Sequence, residues 1–135
     1  MPDAVIWQPS NVYKTAKLGK GVSVGAFSEI GHNVEVGDYT RIGAMCFIPE
    51  GVTIGKHCFI GPKTCFSNDM YPMQDKNKWQ NTIVEDGASI GANASIRPGV
   101  IIGKNALIGM GSVVCCDIPA NEIWAGNPAK FIRIK

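Results

Sequence analysis

Residues 84–114 read VEDGASIGANASIRPGVIIGKNALIGMGSVV, in which Val84, Ile90, Ile96, Ile102, Ile108 and Val114 recur at every sixth position. The same interval runs upstream through Val12, Leu18, Val24, Ile30, Val36, Ile42, Ile48, Ile54, Ile60 and Phe66. Glycine usually follows the aliphatic residue, as at Gly19, Gly25, Gly31, Gly37, Gly43, Gly55, Gly61, Gly91, Gly103 and Gly109. Its regular place is read as a backbone conformation that side chains resist. A second, smaller inward residue comes four positions on, among them Val22, Ser28, Val34, Thr40, Cys46, Cys58, Thr64, Ala88, Ala94, Ala106 and Ser112.

A period of six combines the alternation of a strand, two inward residues flanking one outward residue, with three residues that turn the chain. Three such units close a triangle, and triangles stacked about 4.8 Å apart pair each strand with its counterparts above and below. The sequence thus predicts an all-β chain, a single domain over residues 1–135 forming a parallel β-helix of about five triangular coils. Helices need apolar residues near every 3.6 positions, and each interior Gly costs them about 1 kcal/mol. With 16 Gly beside 45% hydrophobic residues, a helix is left open only at the C-terminus.

The register lapses once, at residues 67–82, SNDMYPMQDKNKWQNT. This reads as one corner expanded into a long protruding loop over about residues 67–81, with Thr82 and Val84 resuming inward positions; long loops in compact folds are usually functional. A short tail over about residues 119–135 closes the chain. If the loop is a corner, one face collects outward Glu29, Phe47, Cys65, Ser95 and Val113, and another Lys17, Glu35, Thr53, Ile83 and Ile101. Apolar outward residues gather on the later coils, which predicts a homo-oligomer; a tail folded back over them is the competing reading.

A net charge of +2 from 13 Lys and Arg against 11 Asp and Glu, without a basic block, argues against nucleic acid as partner. No stretch approaches the roughly 20 apolar residues that span a bilayer, and MPDAVIWQPSNVYKTAK has no apolar signal segment, so a cytoplasmic protein without a membrane partner is expected. Five Cys without a CxxC pair and only 2 His predict neither a disulfide framework nor a metal.

The units IGANAS, IGKNAL and IGMGSV, followed by CDIPANEIWAGNPAKFIRIK, resemble the hexapeptide-repeat acyltransferases over nearly the whole chain. The resemblance implies a left-handed coil and a homotrimer with acetyl-CoA in grooves between subunits. The segment IPEGVTIGKHCFIGPKTCFSNDMYP is similar to the branch that N-acetylates nucleotide-linked amino sugars for surface polysaccharides or other glycans. Acetyl-CoA is then the cosubstrate. The chain departs from relatives at Lys63, at Met73 and at Ala44 and Met45, positions that bear on the acceptor. The alternatives are an acetyltransferase for another small amine or hydroxyl acceptor and a non-catalytic structural or binding β-helix.

Acetyl transfer to an amine needs an oriented neutral amine, donors for the developing oxyanion and a destination for the proton. Asn68 offers donor and acceptor, and Asp69 can hold the amine or take its proton; the competing reading is an Asx turn that opens the loop. His57 is the first candidate for a base and His32 the second, since both fall at corners and His57 is nearer the loop in sequence. Lys63, Tyr71 and Trp79 are candidates for binding the acceptor, the aromatics by stacking. For acetyl-CoA the candidates are Gly91, Gly109, Gly111, Ser112 and Ala125, small enough for a slim pantetheine arm, with Gly126, Asn127, Pro128 and Lys130 matching the family's nucleotide end.

Overall fold

In the computed structural model, which describes residues 3–135, strands of two or three residues follow one another from Val5 to Val114. Met1 and Pro2, the start of the expected domain, lie outside the described residues. So short a strand has almost no pairing of its own and is held by identical neighbours one coil away. Three parallel sheets result. The first aligns outward Val5, Ser23, Arg41, Phe59, Ser89, Leu107 and Ile123. The second aligns Asn11, Glu29, Phe47, Cys65, Ser95 and Val113, and the third Lys17, Glu35, Thr53, Ile83 and Ile101, as the expanded-corner reading required.

Inside runs one apolar column. Ile30, Ile48, Ile60, Phe66, Ile90, Ile102 and Ile108 are fully buried, each burial worth about 1.5–3 kcal/mol. The inward hydroxyls tie coils together: Thr40 Oγ1 donates to the Gly55 carbonyl at 2.6 Å and accepts from the Cys58 amide at 3.0 Å. Ser28 does the same between the Gly43 carbonyl and the Cys46 amide.

The glycines after each inward aliphatic owe their place to crowding and not to an unusual conformation, a correction to the sequence reading. A Cβ on Gly61 would lie 2.5 Å from the Ala92 amide nitrogen of the next coil, and one on Gly31 2.7 Å from that of Glu50. The left-handed conformation falls two residues later, at Asn33, Asn93 and Asn105, which suit it, but also at Phe27, Tyr39, Met45, His57 and Lys63.

The coil count is also larger than expected, about seven instead of five. Ile6 already pairs with Val24 below the first counted repeat. Beyond Val114 a shortened corner brings Ile118 beside Ile102, and Trp124 then beside Ile108, so the column continues after the sixfold interval has slipped. The tail forms no helix. Glu122–Gly126 extends the first sheet in parallel, and Ala129–Ile134 returns antiparallel to it, with Trp124 and Phe131 edge to face at 6.3 Å. The tail therefore lengthens the prism and leaves Phe47, Phe59, Ile83 and Ile101 exposed on its sides.

Two stability measurements check this account. Gly61→Ala, a change that usually stabilises strands and helices, lowers the unfolding free energy by about 2 kcal/mol or more because the next coil must move, whereas Met45→Gly raises it by up to about 1 kcal/mol by relieving a left-handed side chain. Burial pushes the Cys46 thiol up from 9.0 to about 11. Between these values the unfolded chain loses a proton that the folded chain keeps, so stability falls across that window as pH rises. Cys46→Ala, a residue the same inward position carries at Ala94, flattens that alkaline limb in denaturation curves recorded from pH 8 to 11.5.

Candidate active site under the inserted loop

Corners in this fold rotate: consecutive hexads occupy three different edges, and residues 18 apart share one. The loop interrupts the edge between the second and third sheets, so the step between paired strands lengthens from 18 residues, as from Phe47 to Cys65, to 30, as from Thr53 to Ile83. It leaves after buried Phe66, returns at buried Thr82, and contains a single 3-10 turn, Lys76–Lys78.

Asn68 holds both ends of the loop to the coil beneath. Its Nδ2 donates to the Glu50 carbonyl at 2.8 Å, and its own carbonyl accepts from the Gln80 amide at 2.8 Å. Asp69 Oδ2 accepts from the Gln74 amide at 3.0 Å, a bond across five residues of the loop and not an Asx turn, while its other oxygen, Oδ1, is buried with no partner. A buried carboxylate oxygen left unpaired is costly and marks a place where a donor belongs. Glu50 Oε1 pairs with Lys76 Nζ at 3.1 Å, and that ammonium also stands 5.9 Å from the centre of the Trp79 ring.

Below the loop lies a cleft of about 220 Å³. Tyr13, Phe47 and Trp79 supply its aromatic walls; Glu29, His32, Glu50 and Asn68 supply its polar groups. His32 Nδ1 lies 3.2 Å from Thr15 Oγ1 and its ring meets Tyr13 edge-on at 4.2 Å, which orients the imidazole. His32, Glu50 and Asn68 follow one another at 18-residue steps on successive coils. Glu50 was missed in the sequence, where a search along the chain from the loop does not reach it; the 18-residue step was the signal that could have found it.

The other candidates lie elsewhere. His57 sits on the edge between the third and first sheets, stacked on Tyr39 at 5.4 Å. Tyr71 is on the outer side of the loop, largely exposed. Lys63 belongs to the edge between the first and second sheets, the edge that also carries Gly91, Gly109, Gly111 and Ser112. There the structure gathers the small residues. Ser112 Oγ donates to the Gly109 carbonyl at 2.6 Å and accepts from the Gly126 amide at 3.1 Å, while the Ala125 side chain packs against Gly109. Gly111 has open space where a Cβ would stand, as a slim ligand arm needs. Asn127 and Pro128 form the hairpin turn, and Lys130 pairs with Ala125. In one chain this edge and the cleft are on different corners of the prism. Among the described residues no group of His, Cys, Asp and Glu is placed to hold a metal, and no helix is long and apolar enough to cross a membrane.

The family model "bacterial transferase hexapeptide (six repeats)" matches residues 15–50 and 81–116, over half of the chain, and leaves out the loop. A variant of perosamine N-acetyltransferase from Caulobacter crescentus, solved with CoA and GDP-perosamine, is 27% identical with a TM-score of 0.86, over 97% of this chain and 57% of that one. The acetyltransferase domain of PglB from Neisseria gonorrhoeae FA1090, solved with acetyl coenzyme A, is 24% identical with a TM-score of 0.85, over 96% of this chain and 58% of that one. A variant of AntD, an N-acyltransferase from Bacillus cereus solved with dTDP and coenzyme A, is 21% identical with a TM-score of 0.85, over 99% and 84%. The latter two share the fold. The chain spans little more than half the length of the first two proteins. No curated protein sequence matches it.

If Asn68 is the clasp of the loop, Asn68→Ala costs about 1 kcal/mol in global stability and opens residues 67–81 to limited proteolysis at protease levels that spare the parent chain.

Proposed function

The chain belongs to the bacterial transferase hexapeptide family, and from that membership we propose that it is an acetyl-CoA-dependent N-acetyltransferase whose acceptor is a nucleotide-linked amino sugar. The observation that carries the reading is the aromatic-walled cleft under the loop, lined by Asn68, the chain neighbour of Asp69, whose Oδ1 is buried and unpartnered. A sugar amine is the kind of donor that oxygen lacks, and Tyr13, Phe47 and Trp79 suit the apolar faces of a sugar and a base. Perosamine N-acetyltransferase, which binds CoA and GDP-perosamine, supports the substrate class.

Acetyl-CoA, when bound, supplies a thioester carbonyl for the amine to attack: a C–N bond forms, the C–S bond breaks, and the amine proton leaves through a base or on the departing sulfur. The chain's part is orientation, commonly the larger share of such a gain. Asp69 holds the amine by Oδ1 while the Gln74 amide fixes the carboxylate by Oδ2. Asn68 keeps the loop closed over the cleft, and His32, steadied by Thr15 and Tyr13, stands on the same wall to receive a proton. The open space at Gly111 and the small residues around Ser112 suit the pantetheine arm. Because those residues and the cleft occupy different edges, the reaction is proposed to join one subunit's cleft to a neighbour's edge, in a cytoplasmic homotrimer that covers exposed apolar residues such as Ile83 and Ile101.

Thiol release measured with acetyl-CoA and a panel of GDP-, UDP- and dTDP-linked amino sugars tests the reading. Turnover of one of them, with Asp69→Asn lowering kcat/KM by about 100-fold and leaving CoA affinity by calorimetry intact, is the expected result. Turnover only with other small amines or alcohols, or none with any acceptor, ends it.

A further inference from the structure

We propose that Lys76 recognises the diphosphate of the acceptor and is parked on Glu50 until the acceptor arrives, an inference that rests on the nucleotide-sugar reading above. The Lys76–Glu50 pair, at 3.1 Å, is the one salt bridge among the described residues, and it joins the tip of the loop to the wall of the cleft. Its two members differ in setting. The lysine side chain is 65% exposed and the glutamate 27%, so the cation stands at the mouth and the anion inside. The turn that carries Lys76 also carries Lys78 and has no buried residue, so nothing packs it in place.

Charge explains why a cation is needed there. Glu29 and Glu50 line the cleft, an anionic surround that repels a diphosphate. Lys76 reaches this surround through Glu50, and its ammonium lies 5.9 Å from the ring centre of Trp79, which a base or sugar can cover. An exposed ion pair is weak, so exchange costs little. A diphosphate offers the ammonium two negative charges and several strong acceptors in place of one carboxylate oxygen. The exchange also frees Glu50 Oε1, inside the cleft, to accept from a hydroxyl or amine of the sugar. Loading the acceptor and unmasking a carboxylate thus become one event.

The test compares two acceptors, the best nucleotide-linked amino sugar of the panel and the methyl glycoside of the same sugar, which lacks the diphosphate. In Lys76→Met the KM for the nucleotide-linked acceptor rises about tenfold, with kcat moving far less. The KM for the methyl glycoside falls, because Glu50 is no longer occupied. Lys76→Arg keeps the low KM for the nucleotide-linked acceptor, and added salt raises that KM more steeply in the parent enzyme than in Lys76→Met. Equal CoA affinity in parent and variants verifies that the fold is intact. A KM for the nucleotide-linked acceptor that stays within twofold in Lys76→Met overturns the inference, and so does a parallel rise for both acceptors, which makes the lysine a brace for the loop. A parent enzyme inactive on every nucleotide-linked sugar overturns the proposed function first, and is told apart because it appears before any variant is made.

Discussion

Away from the two ends of the column, each two-residue strand of this protein is held by the strand one coil below and the strand one coil above. Such pairing demands that coils approach to about 4.8 Å at the corners as well as along the faces. The approach is what glycine permits at Gly31, Gly61 and Gly91, where the backbone of the next coil fills the space a side chain would need. Inward Ser28 and Thr40 strengthen the same contact by bonding to the main chain of the neighbouring coil.

Edges follow from faces. Since the column needs only residues near Phe66 and Thr82 to stay in register, the corner between them can carry a loop of any chemistry without disturbing the core. The loop then lies over the corners of the coils beneath, and His32, Glu50 and Asn68 become neighbours although they are far apart in sequence. Strain marks the corners too: His57 and Lys63 hold a left-handed backbone that Asn or Gly would take more easily.

The fold was legible because burial repeats with the period of the backbone. From Val12 to Phe66 and from Val84 to Val114 the inward residues could be named one by one, and the loop could be bounded, since loss of register is itself a signal. The coil count was less so, because the corner at Cys115–Asp117 is short and shifts Ile118 off the interval. The role of the glycines was misjudged, as one chain's sequence does not display which neighbour a missing side chain makes room for. Of the candidate site, Asn68 and Trp79 were found by their place at the loop and do meet in the cleft. Glu50 was not, being ordinary in its local context, and Lys76 was one of several charges in an aperiodic segment whose pairing only the folded loop decides.

The two ends of the column are unlike. Among the described residues, the strands of Val5, Asn11 and Lys17 pair on one side only, and always in parallel. At the far end the hairpin's outer strand, Ala129–Ile134, runs the other way. The hairpin therefore ends the run of same-direction strands on the first sheet and makes that edge a poor template for a further parallel coil.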